Sequence, residues 1–274
     1  MRIAFLADIH GNLPAFEAAL DHVAQQHVDR VIFVGDLVVG SPQSAACWQL
    51  ACSLGYPMVR GNHERYIGHF GTEYADPSWA GPQYGPVHWA VSQFSTTERQ
   101  AFMQLPFTIQ PDDLPGLRIV HSSMRNDRDS LAPYTSDTEL DQLFAGCDEA
   151  VIVRAHNHVC QLRQWGERRI ITCGSVGLPL DGKASAQYLI LELRHSGWYI
   201  QHQSVDYDLQ ATLQTFKQSG YLELGGPMAR LFMREVATGA HQIVPFLHIY
   251  RHWQQTETIS LEAAVKRYLE AYPL

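Results

Sequence analysis

Five short apolar stretches in the first 160 residues each end on side chains able to hold a cation or move a proton. Residues 2–7 run into Asp8-Ile9-His10-Gly11-Asn12, residues 28–34 into Gly35-Asp36, and residues 57–60 into Gly61-Asn62-His63-Glu64. Residues 117–120 then lead into His121-Ser122-Ser123, and residues 150–155 into His156-Asn157-His158. Asp8 and His10 are two positions apart, so on extended backbone both side chains point to the same side. A carboxylate oxygen converging with an imidazole nitrogen suits zinc, manganese or iron better than calcium or magnesium. Turns and helix caps account for Gly, Asn and Asp after a strand, but not for the recurrence of histidine. Five strand ends sharing Asp, Asn and His point to a metal centre.

These side chains can converge only if the apolar stretches are neighbouring strands. A helix is expected from Leu13, with Pro14 in its first turn. The short strand-helix-strand spacing then implies a parallel pair with a right-handed crossover. That arrangement puts Asp8 and Asp36 side by side at the carboxyl edge of the sheet, where open α/β sheets collect their chemistry. A further helix is expected over 47–54, closed by Gly55, followed by a third strand over 57–60. Residues 187–193 and 198–205 read as a hairpin at an antiparallel edge. Helical periodicity returns over 208–219 and 261–272, with Gly225-Gly226-Pro227 breaking between them. This tail carries no chemical motif; it is expected to pack on the sheets, cover the mouth of the site, or make a subunit contact in a homo-oligomer. Residues 66–107 form a long connection rich in rings: Tyr66, Phe70, Tyr74, Trp79, Tyr84 and Trp89. They read either as a lid stacking on a nucleoside base or as a satellite core under helices over 86–93 and 96–104.

At 274 residues the chain fits one large domain, or one with an appendage. A composition of 46% hydrophobic and 18% charged residues is that of an ordinary globular protein. The formal net charge of -8 argues against a broad nucleic-acid surface, so an anionic substrate needs local positive charge, and metal is one source. No apolar run is long enough to span a bilayer, and residues 1–7 are too short for a signal-peptide core. Cys47, Cys52, Cys147, Cys160 and Cys173 form no CxxC and leave one over, which favours core cysteines in a reducing cytoplasm.

Taken as a set and in this order, Asp8-x-His10, Gly35-Asp36, Gly61-Asn62-His63-Glu64, His121 and Ala155-His156-Asn157-His158 resemble the five signature blocks of the calcineurin-like metallophosphoesterase superfamily. The later Gly174-Ser175-Val176-Gly177-Leu178-Pro179 resembles the loop that follows in its small bacterial YfcE-like branch. The resemblance implies a four-layer α/β/β/α sandwich over residues 1–205, with 66–107 as a lid or insert and 206–274 as a helical C-terminal extension packed on the same domain. It implies two divalent metal ions, manganese first, with iron, zinc, nickel or cobalt as alternatives. Asp8, His10, Asp36 and His158 resemble the ligands of the first ion. Asp36, Asn62, His121 and His156 resemble those of the second, with Asp36 bridging. A shared carboxylate and a bridging hydroxide would hold two cations ~3.5–4 Å apart, and that hydroxide would attack phosphorus in line.

The same likeness gives Asp36, Asn62 and His63 as catalytic residues, with His63 orienting phosphate or protonating the leaving oxygen. Arg125 and Asn12 join His63 as expected substrate contacts, Arg125 as a two-pronged clamp on a phosphate oxygen. Two positions depart from the pattern: Glu64 stands where the family has Asp, and Ala155 where it has Gly. The activity implied is hydrolysis of phosphodiesters, of nucleotides or related small molecules. A phosphomonoesterase, a protein phosphatase, or a non-catalytic protein-binding scaffold of the same fold are the alternatives.

Overall fold

In the computed structural model, which describes residues 1–272, the chain runs β1 (Arg2–Leu6), α1 (Leu13–Gln25), β2 (Arg30–Phe33), α2 (Ser44–Leu54) and α3 (Asn62–His69). Two short 3-10 turns, Pro77–Ala80 and Pro82–Tyr84, lead into α4 (Gly85–Ser92), α5 (Thr96–Gln104), β3 (Thr108–Ile109), β4 (Leu117–Val120) and α6 (Asp137–Leu143). Then come β5 (Val151–Arg154), β6 (Cys160–Trp165), β7 (Arg168–Cys173), β8 (Ala186–Arg194) and β9 (Gly197–Val205). The chain closes with α7 (Leu209–Gln218), α8 (Tyr221–Leu224), α9 (Gly226–Thr238), α10 (Ile243–Thr256) and α11 (Leu261–Ala271).

The strands make two sheets, ordered β2-β1-β8-β9 and β3-β4-β5-β7-β6. Ile3, Phe5, Leu189 and Leu191 of the first sheet share a core with Leu117, Ile119, Val151, Val153 and Ile171 of the second, so the sheets pack face to face. On the outer faces, Ala4, Leu6, Val31 and Phe33 meet Phe16 and Ala19 of α1 and Cys47 and Trp48 of α2, while Ile152 and Ile170 meet Leu140 and Leu143 of α6. The result is a four-layer α/β/β/α sandwich. Because both faces of β1 are covered, its residues 3–6 are all fully buried. Burial of Ile3, Phe5 and Leu6 contributes roughly 1.5–3 kcal/mol each. β1 pairs parallel with β2 and β4 pairs parallel with β5, so the strand ends carrying Asp8 and Asp36, and those carrying His121 and His156, open at one edge of their sheets.

The expected third strand over 57–60 is reduced to one parallel bridge between Phe33 and Met58. Pro57 cannot donate to a ladder, and the chain enters α3 directly after it. The tail holds more helix than its periodicity indicated. Gly225-Gly226-Pro227 divides the short α8 from α9 and itself starts α9, with Pro227 in the first turn, where the missing N–H costs nothing. The Tyr221 hydroxyl donates to the Gly40 carbonyl at 2.8 Å, and the Tyr221 ring packs edge-on to Trp89. Gly85 at the start of α4 lies so close to the Gly225 carbonyl that any Cβ there would overlap it. The tail therefore docks on the 66–107 insert and on the loop that follows β2.

Candidate metal centre

Apart from Asn62, which opens α3, the expected ligands sit on loops at strand ends, and the loop after β1 is pinned to the loop after β2. The N–H groups of Asp8, His10 and Gly11 donate to the carbonyls of Gly35, Asp36 and Leu37 at 3.0, 3.0 and 2.9 Å. Asp8, His10, Asp36, His156 and His158 all adopt positive φ, between 51° and 71°. Asp and His tolerate that region better than most residues, but it is strained backbone, held here by the surrounding hydrogen bonds. Ala155, which replaces the family's glycine, is outside the positive-φ set, so its side chain meets no conformational objection. Gly61 is required: a Cβ there would overlap the Asp36 carboxylate.

Glu64 is fully buried and accepts from the backbone N–H of Asp36 at 2.9 Å, Leu37 at 2.7 Å and Gly61 at 2.8 Å. Its longer arm thus braces the loop that presents Asp36. The His63 backbone N–H donates to Asp36 Oδ1 at 2.9 Å, and the His156 N–H to Asp8 Oδ2 at 3.1 Å. One carboxylate oxygen of each aspartate is thereby occupied and the other left free. Among the described residues, the buried atoms Asp8 Oδ1, Asp36 Oδ2 and His63 Nδ1 have no hydrogen-bond partner.

Asp8, His10, Asp36 and His158 bring one donor atom each to within 4.8 Å of one another, and Asp36, His121 and His156 form a second such group. The four histidines are each tethered through one ring nitrogen to a backbone carbonyl. His10, His121 and His158 use Nδ1 to meet the carbonyls of Val39, Val34 and Leu178 at 2.8, 2.7 and 2.7 Å. His156 uses Nε2 on the Arg128 carbonyl at 3.0 Å. A nitrogen facing a carbonyl must carry the proton, which in a neutral ring leaves the opposite nitrogen with a lone pair aimed into the cluster. His10 Nε2 and His158 Nε2 face each other at 3.1 Å, a repulsive contact for two lone pairs unless a proton or cation lies between them. Asn62 Oδ1 lies 3.2 Å from His121 Nε2, completing the second group. Free carboxylate oxygens, imidazole lone pairs and one amide oxygen are a donor set suited to a divalent metal.

The electrostatics agree. Burial, then the neighbouring His63, push His10 down to about 3; burial and His121 do the same to His156, also to about 3. Burial and His10 lower His158 well below its usual value. Burial alone would raise Asp36, but His121, His63 and His10 around it hold it well below the carboxylate range. Burial would likewise depress His121, yet the Asp36 and Asp8 carboxylates raise it to about 10. The cluster thus keeps most of its imidazoles neutral and places its proton affinity on His121 and on Asp8, whose carboxyl burial raises well above its usual value.

His63 sits at the edge of this cluster. Its Nε2 is 3.9 Å from Asp36 Oδ2, and its ring meets those of His10 and Tyr66 edge-on at 4.9 and 5.3 Å. Two expected substrate contacts already have partners within the fold. Asn12 is fully buried as the cap of α1, its Nδ2 donating to the Gly177 carbonyl and its Oδ1 accepting from Ala15 N–H and the Thr212 hydroxyl, so it faces no substrate. The N-cap role available to any Asn before a helix has taken it. The Arg125 fork is engaged by Asp129 at 2.9 and 2.7 Å, so a phosphate oxygen would have to compete with that carboxylate for it.

Sequence reasoning passed over Arg154. Its guanidinium is fully buried and donates to the carbonyls of Ser122 at 2.7 Å and Asp129 at 2.8 Å, tying together the loops that carry His121 and His156. A charge closing the apolar run Val151-Ile152-Val153 was the available signal. Arg65, forked onto Asp127 and stacked on Tyr66 and Trp79, fixes the insert to the same loops. Tyr66, Trp79 and Tyr84 pack on one another, as a satellite core would.

The fold has solved counterparts. A metallophosphoesterase from Sphaerobacter thermophilus superposes with a TM-score of 0.69 at 22% identity, covering 88% of this chain and 100% of that one. A hypothetical protein from Pyrococcus horikoshii OT3 superposes with a TM-score of 0.72 at 16% identity, covering 88% and 99%. An uncharacterised protein of Methanocaldococcus jannaschii is 24% identical over 248 residues, which are 84% of this chain and 97% of the relative. The calcineurin-like phosphoesterase model matches residues 1–160, a span that contains every donor described above. The chain is a member of the calcineurin-like phosphoesterase family.

Proposed function

We propose that this chain hydrolyses phosphodiester bonds of nucleotides or related small molecules with the help of two divalent metal ions, manganese first among them. The observation that carries the reading is the common orientation of the four histidines: each is tethered through one nitrogen to a backbone carbonyl, with the other aimed at the free oxygens of Asp8 and Asp36. In this reading Asp8, His10, Asp36 and His158 hold one ion, Asp36, Asn62, His121 and His156 hold the other, and Asp36 is shared. Bound there, the pair supplies positive charge for phosphate oxygens and makes a water acidic enough to serve as nucleophile at neutral pH. His63, neutral and lacking a partner on Nδ1, holds a phosphate oxygen or hands a proton to the leaving oxygen. Asp36 fixes the His63 backbone through its Oδ1 while its Oδ2 faces the cluster, so one side chain sets both the ligand field and the position of the proton carrier. The net charge of -8 supports a small substrate over nucleic acid, and free cysteines support a reducing, cytoplasmic setting.

The test is hydrolysis of bis-p-nitrophenyl phosphate with and without manganese, beside p-nitrophenyl phosphate as the monoester. The reading expects metal-dependent turnover of the diester in preference to the monoester. It expects loss of at least about 100-fold in the Asp36→Asn and His63→Ala variants. Turnover of the monoester alone moves the assignment to a phosphomonoesterase. No turnover with any divalent metal favours a protein-binding scaffold.

A further inference from the structure

His63 and Val39 belong to two environments at once. On one side His63 meets His10 and Asp36, and the Val39 carbonyl holds His10 in place. On the other side both residues line a cavity of about 180 Å³. The insert contributes Tyr66, Tyr84 and Val87 to its wall, and the tail contributes Met228 and Phe232 from α9 and Leu247 from α10. This wall exists because the tail docks on the insert through the close contact of Gly85 with Gly225. Among the described residues no Lys, Arg, Asp or Glu lines the cavity, and the side-chain amide there is that of exposed Gln83. An apolar recess with a few polar groups at its edge, opening beside a catalytic cluster, is what a small-molecule site looks like.

We infer that this cavity receives one ester group of the substrate and that the group it takes is neutral, aromatic and about one ring system in size. The inference rests on the phosphoesterase reading and deepens it. A phosphate held between the cluster and His63 would have the cavity on its His63 side, open to one of its two substituents. Its volume is below the roughly 300–1,000 Å³ of sites for drug-sized ligands, which admits a phenyl ring or a nucleobase but not a second nucleotide. The rings of Tyr66 and Tyr84, perpendicular at 6.3 Å between centroids, offer a ring inserted beside them edge-to-face contacts. A second phosphate or a carboxylate entering the same space would lose its hydration without gaining a counter-charge. Esters with a highly charged group on this side are therefore excluded.

The test uses the manganese-loaded protein and two phosphonates, whose C–P bonds are not hydrolysed, with affinities measured by calorimetry. Phenylphosphonate is expected to bind at least about tenfold more tightly than methylphosphonate, and 4-carboxyphenylphosphonate to lose that gain. Leu247→Asp is expected to bring the phenyl and methyl affinities to within about threefold of each other while leaving methylphosphonate unchanged. Should Leu247→Asp bind neither ligand, the milder Leu247→Gln decides by the same comparison. Equal affinity of the wild-type protein for the phenyl and methyl compounds overturns the pocket and leaves the phosphoesterase reading standing. Binding of neither to the loaded wild-type protein overturns both.

Discussion

Glu235 lies in α9, 3% exposed, where its Oε1 accepts from the backbone N–H groups of Gln242 at 2.8 Å and Ile243 at 2.9 Å. It thus caps α10, the helix that brings Ile243 and Leu247 to the cavity beside His63. Burial raises its carboxyl from 4.5 to about 7, against the pull of the two backbone donors. At about 1.36 kcal/mol per pH unit, the ionised native state carries a cost on the order of 3 kcal/mol once the pH exceeds the folded value. Because the folded pKa is the higher one, the native chain holds more proton than the unfolded chain between pH 4.5 and 7, and stability falls as pH rises through that window. Glu235→Gln keeps an acceptor for both N–H groups and removes the charge. Urea unfolding of both proteins, compared at each pH so that other titrations cancel, is expected to show near-equal stability at pH 4.5. By pH 8 the variant is expected to be more stable by up to about 3 kcal/mol. A pH-independent difference, or a variant less stable at pH 8, would refute the reasoning.

Asn12→Ala removes a cap and leaves the Thr212 hydroxyl without the Asn12 acceptor, so it is expected to cost on the order of 2 kcal/mol in urea unfolding while the KM of the diester stays unchanged. Glu64→Ala strips the acceptor from three buried backbone donors; unfolding experiments should lose about 3 kcal/mol or more, and manganese titrations should show at least tenfold weaker binding. With its pKa raised to about 10, His121 contributes stability to the metal-free protein that is complete below 6.5 and lost as pH rises through 10. A cation must displace that proton, so manganese affinity is expected to rise about tenfold per pH unit between pH 7 and 9, with proton release seen in calorimetry in buffers of different ionisation enthalpy.

The residues that gather in the cluster were legible because, Asn62 apart, each is a polar residue just past an apolar strand, and strand ends are where a parallel sheet presents side chains. Asn12 was not, since the same residue type at the same place serves as a helix cap, and only the positions of Gly177 and Thr212 decide between the roles. The Arg125 fork depended on Asp129, four residues on, a local pairing that competes with any phosphate. α9 was hidden behind Gly225-Gly226-Pro227, which reads as a break yet here begins a helix. β6 was obscured because it is an edge strand whose residues alternate between exposed and half-buried before Trp165, so no apolar run marks it. The cavity beside His63 could not be read at all: its walls come from residues near 85 and near 240, brought together by tertiary docking of the tail.

The claim beneath all of this is that Asp8, His10, Asp36, Asn62, His121, His156 and His158 together cage a pair of divalent cations. Metal content per chain, measured by elemental analysis after manganese loading and gel filtration, tests it most directly. The account predicts about two ions per chain in the wild-type protein and fewer than one in Asp36→Asn, because that carboxylate is the donor common to both groups. A folded wild-type protein that retains no metal, or an Asp36→Asn variant that retains both ions, would contradict it.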